Sequence, residues 1–328
     1  MKFAFIKCHG SGNDFALIDA RGMTLSDGEW SAVARALSDR RGVVGSDGLL
    51  LLTEGGKSAD FGQRMFNSDG SEASTCLNGL RCVARAGFEA LGVDAATVRL
   101  KTSTAKVARV AELAPGVTTV RTRAGPASLD PADTGLRSDG PVIEAQIPDM
   151  PNERAFTAVA MPNPHLVTFV ERVVERELVT LGWWCEAGPE MLVDRANVSF
   201  VEVRGGDLFV RTFERGVGLT DACGSAMAAS TYAAGVTGRA PFGRELTVFN
   251  PGGMVRACAD EDGMVTIAGN ATFEWDGEVE VDLTTATASG LVVTRRRDDE
   301  VAAWEQVYEH LANREEAEEP PTVAAAGV

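Results

Sequence analysis

Two stretches of this 328-residue chain echo each other: FNSDGSEASTCLNG, Phe66–Gly79, and FERGVGLTDACGSA, Phe213–Ala226. Each runs from a phenylalanine through a glycine-containing turn to a cysteine ten residues on, and the two cysteines lie 147 residues apart. A second pair sits upstream in the same order, GNDFALI at Gly12–Ile18 and PNPHLVT at Pro162–Thr168, with an offset of 150. Two echoes at nearly one offset are the mark of an internal repeat. They predict two similarly folded halves.

The residues just after each cysteine fix the local structure. Residues 78–91 carry helical periodicity with Gly92 as a left-handed stop, and residues 223–234 form a run of small helix formers before Gly235. Each half is therefore expected to begin its helix at a cysteine, Cys76 and Cys223. The first turn of a helix leaves backbone N–H groups unpaired at the positive end of the dipole. Such a turn binds carboxylates, and a thiol there is expected to ionise below its free value of about 8.5. Two such turns facing each other would set two thiols on opposite sides of one small molecule. A thiolate on one face can remove an α-proton while a thiol on the other returns one, which inverts the carbon without metal or cofactor. Taken singly, a cysteine at a helix start is usually a small buried hydrophobe, and the repeated context is what separates this pair. Cys8, Cys82, Cys185 and Cys258 lack it and are assigned to packing.

Composition narrows the rest. Lys and Arg number 31 against 47 Asp and Glu, a net charge of −16, which argues against a nucleic-acid partner. No apolar run is long enough for a membrane span, and MKFAFIKCHG reads as a strand rather than a signal peptide. Six cysteines without a Cys-x-x-Cys, and three histidines, give no zinc pattern. Free thiols without an export signal point to the cytoplasm.

Strands are expected at Lys2–Lys7, Phe15–Asp19, Leu49–Thr53 and Gly62–Phe66, with a helix capped by Ser26 or Asp27. Further strands are expected from Val98 to Arg123. AGPASLDPADTGLRSDGP, Ala124–Pro141, has linker composition. Beyond it strands are expected at Val142–Ile147, Ala155–Met161, Val198–Val203 and Leu208–Phe213, with a helix across Val173–Gly182. The domain reading is 1–123 plus about 270–282 for the first half and 124–269 for the second. An amphipathic helix over about 295–316 and a disordered tail at 317–328 complete it.

With GSGNDF, FNSDGSEASTCLNGLRC, NPH, RANVSFVEV and ERGVGLTDACGS in this order, the chain resembles the diaminopimelate epimerases, from Lys2 to about Asp282. The resemblance implies an α/β (α+β) fold of two pseudo-symmetric halves. Each would be a curled, mostly antiparallel sheet around a central helix, with the active site in the cleft between them. It implies pyridoxal-independent conversion of LL-2,6-diaminopimelate to the meso isomer, in lysine and peptidoglycan precursor synthesis. No cofactor or metal is implied, and the assembly would be a homodimer.

Position by position, the resemblance makes Cys76 and Cys223 the catalytic pair. The N–H groups of Leu77, Asn78, Gly224 and Ser225 match those that hold the reacting carboxylate. Glu214 and His165 match polar groups beside the reacting centre. Arg215 matches the partner of the distal carboxylate, and Asn13, Asn67, Asn163 and Asn197 match amides that read the distal amino-acid end. The chain departs from the pattern at Leu77 and Pro162, where the family usually has glycine, and at Leu219, where many members have glutamate. Two rivals stand beside this reading. One is a proline racemase or hydroxyproline epimerase, which typically carries histidine where this chain has Asn78. The other is a catalytically silent paralogue that binds an amino acid or senses oxidation through a Cys76–Cys223 disulfide.

Overall fold

A computed structural model describes residues 1–74 and 76–318 of the protein, with side chains as far as residue 309. The first half comprises β1 (Lys2–Gly10), β2 (Asn13–Asp19), α1 (Asp27–Ser38), β3 (Gly48–Glu54), β4 (Phe61–Asn67), α2 (Leu77–Leu91), β5 (Ala95–Arg99), β6 (Thr104–Val110) and β7 (Thr119–Ala124). After a short helix α3 (Pro131–Thr134) comes the second: β8 (Thr157–Ala160), β9 (Pro164–Phe169), α4 (Glu175–Glu186), β10 (Asn197–Arg204), β11 (Asp207–Glu214) and β12 (Gly218–Thr220). It continues with α5 (Gly224–Val236), β13 (Leu246–Asn250), β14 (Gly253–Ala259) and β15 (Val265–Asn270). The chain then returns through β16 (Thr272–Asp282), β17 (Thr287–Arg296) and α6 (Asp298–Glu318).

The strand pairings repeat. From β1 to β7, neighbours pair antiparallel, parallel, antiparallel, parallel, antiparallel and antiparallel. The series β8, β9, β10, β11, β13, β14, β15 pairs in the same sequence of directions. The equivalent last strands, β7 and β15, join the halves in an antiparallel ladder. Register carries the echo to single residues: Phe66 lies opposite Leu49, and Phe213 lies opposite Val198. Strand β16 pairs with β1, and β17 adds an outer strand to β16.

Each sheet curls around its own helix. Leu80, Val83 and Phe88 of α2 pack against Phe15, Leu50, Phe61, Val98, Val107 and Val120, drawn from six successive strands. Met227, Ala229 and Ala233 of α5 are enclosed in the same way by Val159, Val167, Val201, Val210, Val248 and Val255. The outer faces are covered too. Leu49 and Leu51 face the cluster around α1, while Leu50 and Leu52 face α2, which explains the unbroken Leu49–Leu52 run in β3. A strand buried on both faces does not alternate with polar residues.

Two expectations are corrected, and one in part. Val142–Ile147 is not a strand: Glu144 takes a positive φ of 46°, and only Ala145 pairs, in an isolated bridge to Phe156. The left-handed residue breaks the extended run before a ladder can form. The linker holds α3, whose Asp130 cap and first-position Pro131 are a helix-start signal inside a loop-like composition. Beyond Asp282, as strands continuing to about Val293 would have it, β17 carries the chain on to Arg296. Of the tail expected to be disordered, Ala317 and Glu318 end α6, and 319–328 lie outside the described residues. Among the described residues no helix is long and apolar enough to cross a membrane.

Candidate active site

The two central helices meet start to start. Cys76 is the N-cap of α2 and Cys223 the N-cap of α5, both in extended backbone. A Cβ placed on Gly224 would lie 2.9 Å from Leu77 Cβ and 3.3 Å from Asn78 Oδ1. The first turns therefore touch, and of the two equivalent positions only 77 has room for a side chain. Leu77 packs against both central clusters, so it plugs the seam between the halves.

Each sulfur sits in a small set of polar contacts. Cys76 Sγ accepts from Gly79 N at 3.4 Å and lies 3.8 Å from Asn13 Oδ1. Cys223 Sγ is 3.4 Å from Ser225 Oγ and lies beside the Glu214 carboxyl. All six cysteines are free. The expected acidification of the thiols is reversed. Burial pushes Cys76 up to about 11, and the N–H groups of Gly79 and Asn78 recover only part of that. Burial and then the nearby Glu214 carboxylate push Cys223 well above the ordinary thiol range, and Glu214 raises Cys76 as well. Desolvation of a thiolate outweighs the helix-start dipole when the turn is enclosed by a second half. No sequence pattern contains that enclosure.

Glu214 ends β11 and accepts from Thr220 Oγ1 at 2.6 Å; burial raises its carboxyl above the usual range. Fully buried His165 faces Asn163 Oδ1 from Nε2 at 3.2 Å, while its Nδ1 has no partner among the described residues. Burial, and then the charge of Arg215, lower it to about 3, so it is neutral at physiological pH. Asn197 lies beside His165 in the β9–β10 pairing and accepts Arg215 N at 2.9 Å. The Arg215 guanidinium reaches Asp194 Oδ2 at 2.8 Å. Asn78 Nδ2 spans the cleft, 3.4 Å from both Asn13 Oδ1 and Ala222 O. Asn13 Nδ2 is held by Asp47 Oδ2 at 2.6 Å.

Asn67 ends β4 at the position equivalent to Glu214 and turns its amide to Ser71 Oγ at 2.9 Å. The described contacts tie it to its own turn rather than to the other candidates.

Several supporting groups carried no sequence signal. Thr220 positions Glu214 from a neighbouring strand. Arg81, fully buried on α2, ties Asn78 Oδ1 and Ser11 Oγ, both at 3.1 Å, to the Asn270 carbonyl at 2.9 Å. Asp47 holds Asn13 from 34 residues away. The ties of Arg81 to Ser11 and Asn270, and of Asp47 to Asn13, join remote segments that no local spacing announces.

The sequence profile of the diaminopimelate epimerase family matches residues 5–129 and 157–274. A diaminopimelate epimerase of Lactiplantibacillus plantarum is 39% identical over 292 residues, covering 83% of this chain and 88% of that protein. One from Listeria monocytogenes is 35% identical over 326 residues, covering 94% and 96%. Solved structures share the fold at lower identity. A Bacillus anthracis PhzF-family phenazine biosynthesis protein matches with a TM-score of 0.62 at 15% identity, over 86% of this chain and all of that one. A hydroxyproline epimerase from Agrobacterium vitis matches with a TM-score of 0.61 at 14% identity, over 86% and 92%. Sequence match and two-half architecture agree, and the chain belongs to the diaminopimelate epimerase family.

Proposed function

We propose that the protein converts LL-2,6-diaminopimelate to the meso isomer, with Cys76 and Cys223 as the two proton-transfer groups. The observation that carries the reading is the contact between two helix starts, each capped by a cysteine. One sulfur, as thiolate, takes the α-proton: the C–H bond breaks, an S–H bond forms, and the electron pair stays on carbon and its carboxylate. The thiol across the cleft gives its proton to the opposite face and is left as thiolate. Configuration inverts, no electron is gained or lost, and the two sulfurs have exchanged roles.

The N–H groups of Leu77, Asn78, Gly224 and Ser225 have no intrahelical acceptor and suit the reacting carboxylate, whose charge grows as the proton leaves. Glu214, with neutral His165 nearby, suits the α-ammonium. This placement also addresses the high thiol values, because Glu214 is one cause of the rise at both sulfurs. A cation seated on Glu214 offsets that charge, so substrate binding itself favours a thiolate. Arg215 serves the distal carboxylate, and Asn13, Asn67, Asn163 and Asn197 the distal amino-acid end. The reading needs no cofactor, and it places a homodimer in the cytoplasm.

The test uses reduced protein and LL-diaminopimelate in D₂O, with the α-proton followed by NMR and isomers by chiral chromatography. Loss of the α-proton signal with appearance of the meso isomer is expected. Cys76→Ala and Cys223→Ala should each lower kcat by about 100-fold or more, and Cys82→Ala should leave it intact. An inert wild-type protein would sink the proposal, and turnover of proline or hydroxyproline instead would favour the rival epimerases.

A further inference from the structure

Helix α6 lies beyond the residues matched by the family profile, yet buried groups tie it to the surroundings of both proposed catalytic helix starts. Glu300, in its first turn, takes both terminal nitrogens of Arg85, with Nη2 to Oε1 at 2.8 Å. Arg85 is 5% exposed and sits on α2, nine residues after its Cys76 cap. Its guanidinium also donates to Ala271 O at 2.8 Å and lies 4.0 Å over the Phe273 ring. Glu300 Oε2 accepts from Phe273 N at 3.3 Å, so one carboxylate joins α6, α2 and β16.

Trp304, one turn on, is 6% exposed. Its ring centroid is 5.5 Å from that of His9, whose Nδ1 accepts Gly12 N at 3.2 Å and so braces the turn that presents Asn13. On its other side Trp304 fills the space left by Gly253, where a Cβ would come within 2.3 Å of Cζ2. Adjacent Gly252 donates to Asp221 O at 2.9 Å, two residues before Cys223, and no Cβ fits there beneath the Ser11 carbonyl. Val307 joins Trp304, Val117 and Met254 in the small core that closes this side.

We infer that α6 is a positioning element for the two-thiol reaction: through Glu300 and Trp304 it fixes how the Cys76 and Cys223 helix starts face each other. The inference rests on the two-cysteine epimerase reading. Neither side chain touches the reacting atoms. Glu300 acts through buried Arg85, whose other carboxylate partner, Glu89, is far more exposed. Trp304 acts through His9 on one half and the Gly252–Gly253 turn on the other. Proton transfer between groups fixed on opposite faces is sensitive to their placement, and a shift of about 1 Å can lower a rate about 100-fold.

The experiment compares full-length Glu300→Gln, Trp304→Ala and Trp304→Phe with wild type. It reads kcat and KM for epimerisation, melting temperature, and the rates at which iodoacetamide alkylates Cys76 and Cys223 relative to Cys258. Glu300→Gln and Trp304→Ala should lower kcat by about tenfold or more with KM within about twofold. Trp304→Phe should recover most of the loss, and the alkylation ratios should rise as the helix starts part. Unchanged kcat and ratios with a lower melting temperature would make α6 a stabiliser only and overturn the inference. Should Trp304→Ala not fold, Glu300→Gln and Trp304→Phe decide by the same readings. A wild-type protein inert on diaminopimelate would defeat the epimerase reading instead. The alkylation ratios would then judge α6 alone, and unchanged ratios would reject it.

Discussion

At residue scale the notable feature is a pair of thiols that burial makes reluctant to ionise. Cys76 is pushed up to about 11 and Cys223 well above the ordinary range, although both occupy helix caps, where a thiolate gains from N–H groups. The rate in kcat/KM reports the free enzyme. Its logarithm should therefore climb through pH 7–9 without levelling near the ordinary thiol value of about 8.5. A steady-state profile from pH 6.5 to 9.5 checks this, and a plateau below pH 8 would mean that the helix dipole, not burial, governs the base. The candidate residues could be named from sequence because each sits in a short motif: Cys76, Cys223 and their neighbours in the two echoing stretches, and Asn13, Asn163, His165 and Asn197 in GSGNDF, NPH and RANVSFVEV. Their protonation could not, because it depends on what the other half of the molecule lays over them.

Elements set the distance between the thiols. Helices α2 and α5 start against each other, and Gly224 has no Cβ because Leu77 occupies that space. Gly224→Ala should force the first turns apart, at a cost of about 1–3 kcal/mol, and lower kcat/KM. Leu77→Gly added to it should restore much of the activity, since it removes the clashing Cβ. Steady-state kinetics on the single and double variants test this. A double variant no better than Gly224→Ala would show that the contact does not set the spacing. The helices themselves were readable, since each has a cysteine cap, a helical pattern and small residues near its stop. Their mutual contact was not, as nothing near residue 77 in sequence names residue 224.

Across the whole molecule, two buried histidines link the fold to pH. His9 is lowered to about 4, chiefly by burial, and His165 to about 3. Both are neutral in the folded protein, whereas in the unfolded chain they bind protons below about 6.5. The unfolded state then holds more protons, so stability is complete above about pH 6.5 and falls as pH drops toward 4. Urea midpoints measured from pH 4.5 to 7.5 should show this slope, and His165→Gln should flatten it. An unchanged slope in that variant would assign the acid sensitivity to other groups. His9 couples this to the site, because protonating Nδ1 breaks its bond from Gly12 N beside Asn13.

Two similar halves, a cysteine at the start of each central helix, and the family could all be read from the linear chain. These rest on local spacing and on echoes about 150 residues apart, which a linear chain records directly. Tertiary structure alone decided the rest. It curled each sheet around its helix through β ladders between distant strands, and joined the halves through β7 and β15. It set Leu77 against Gly224, raised both thiols, and laid α6 across Arg85, His9 and Gly253. Burial and contact between remote segments are sums over the whole fold, and neither is written in any single stretch of sequence.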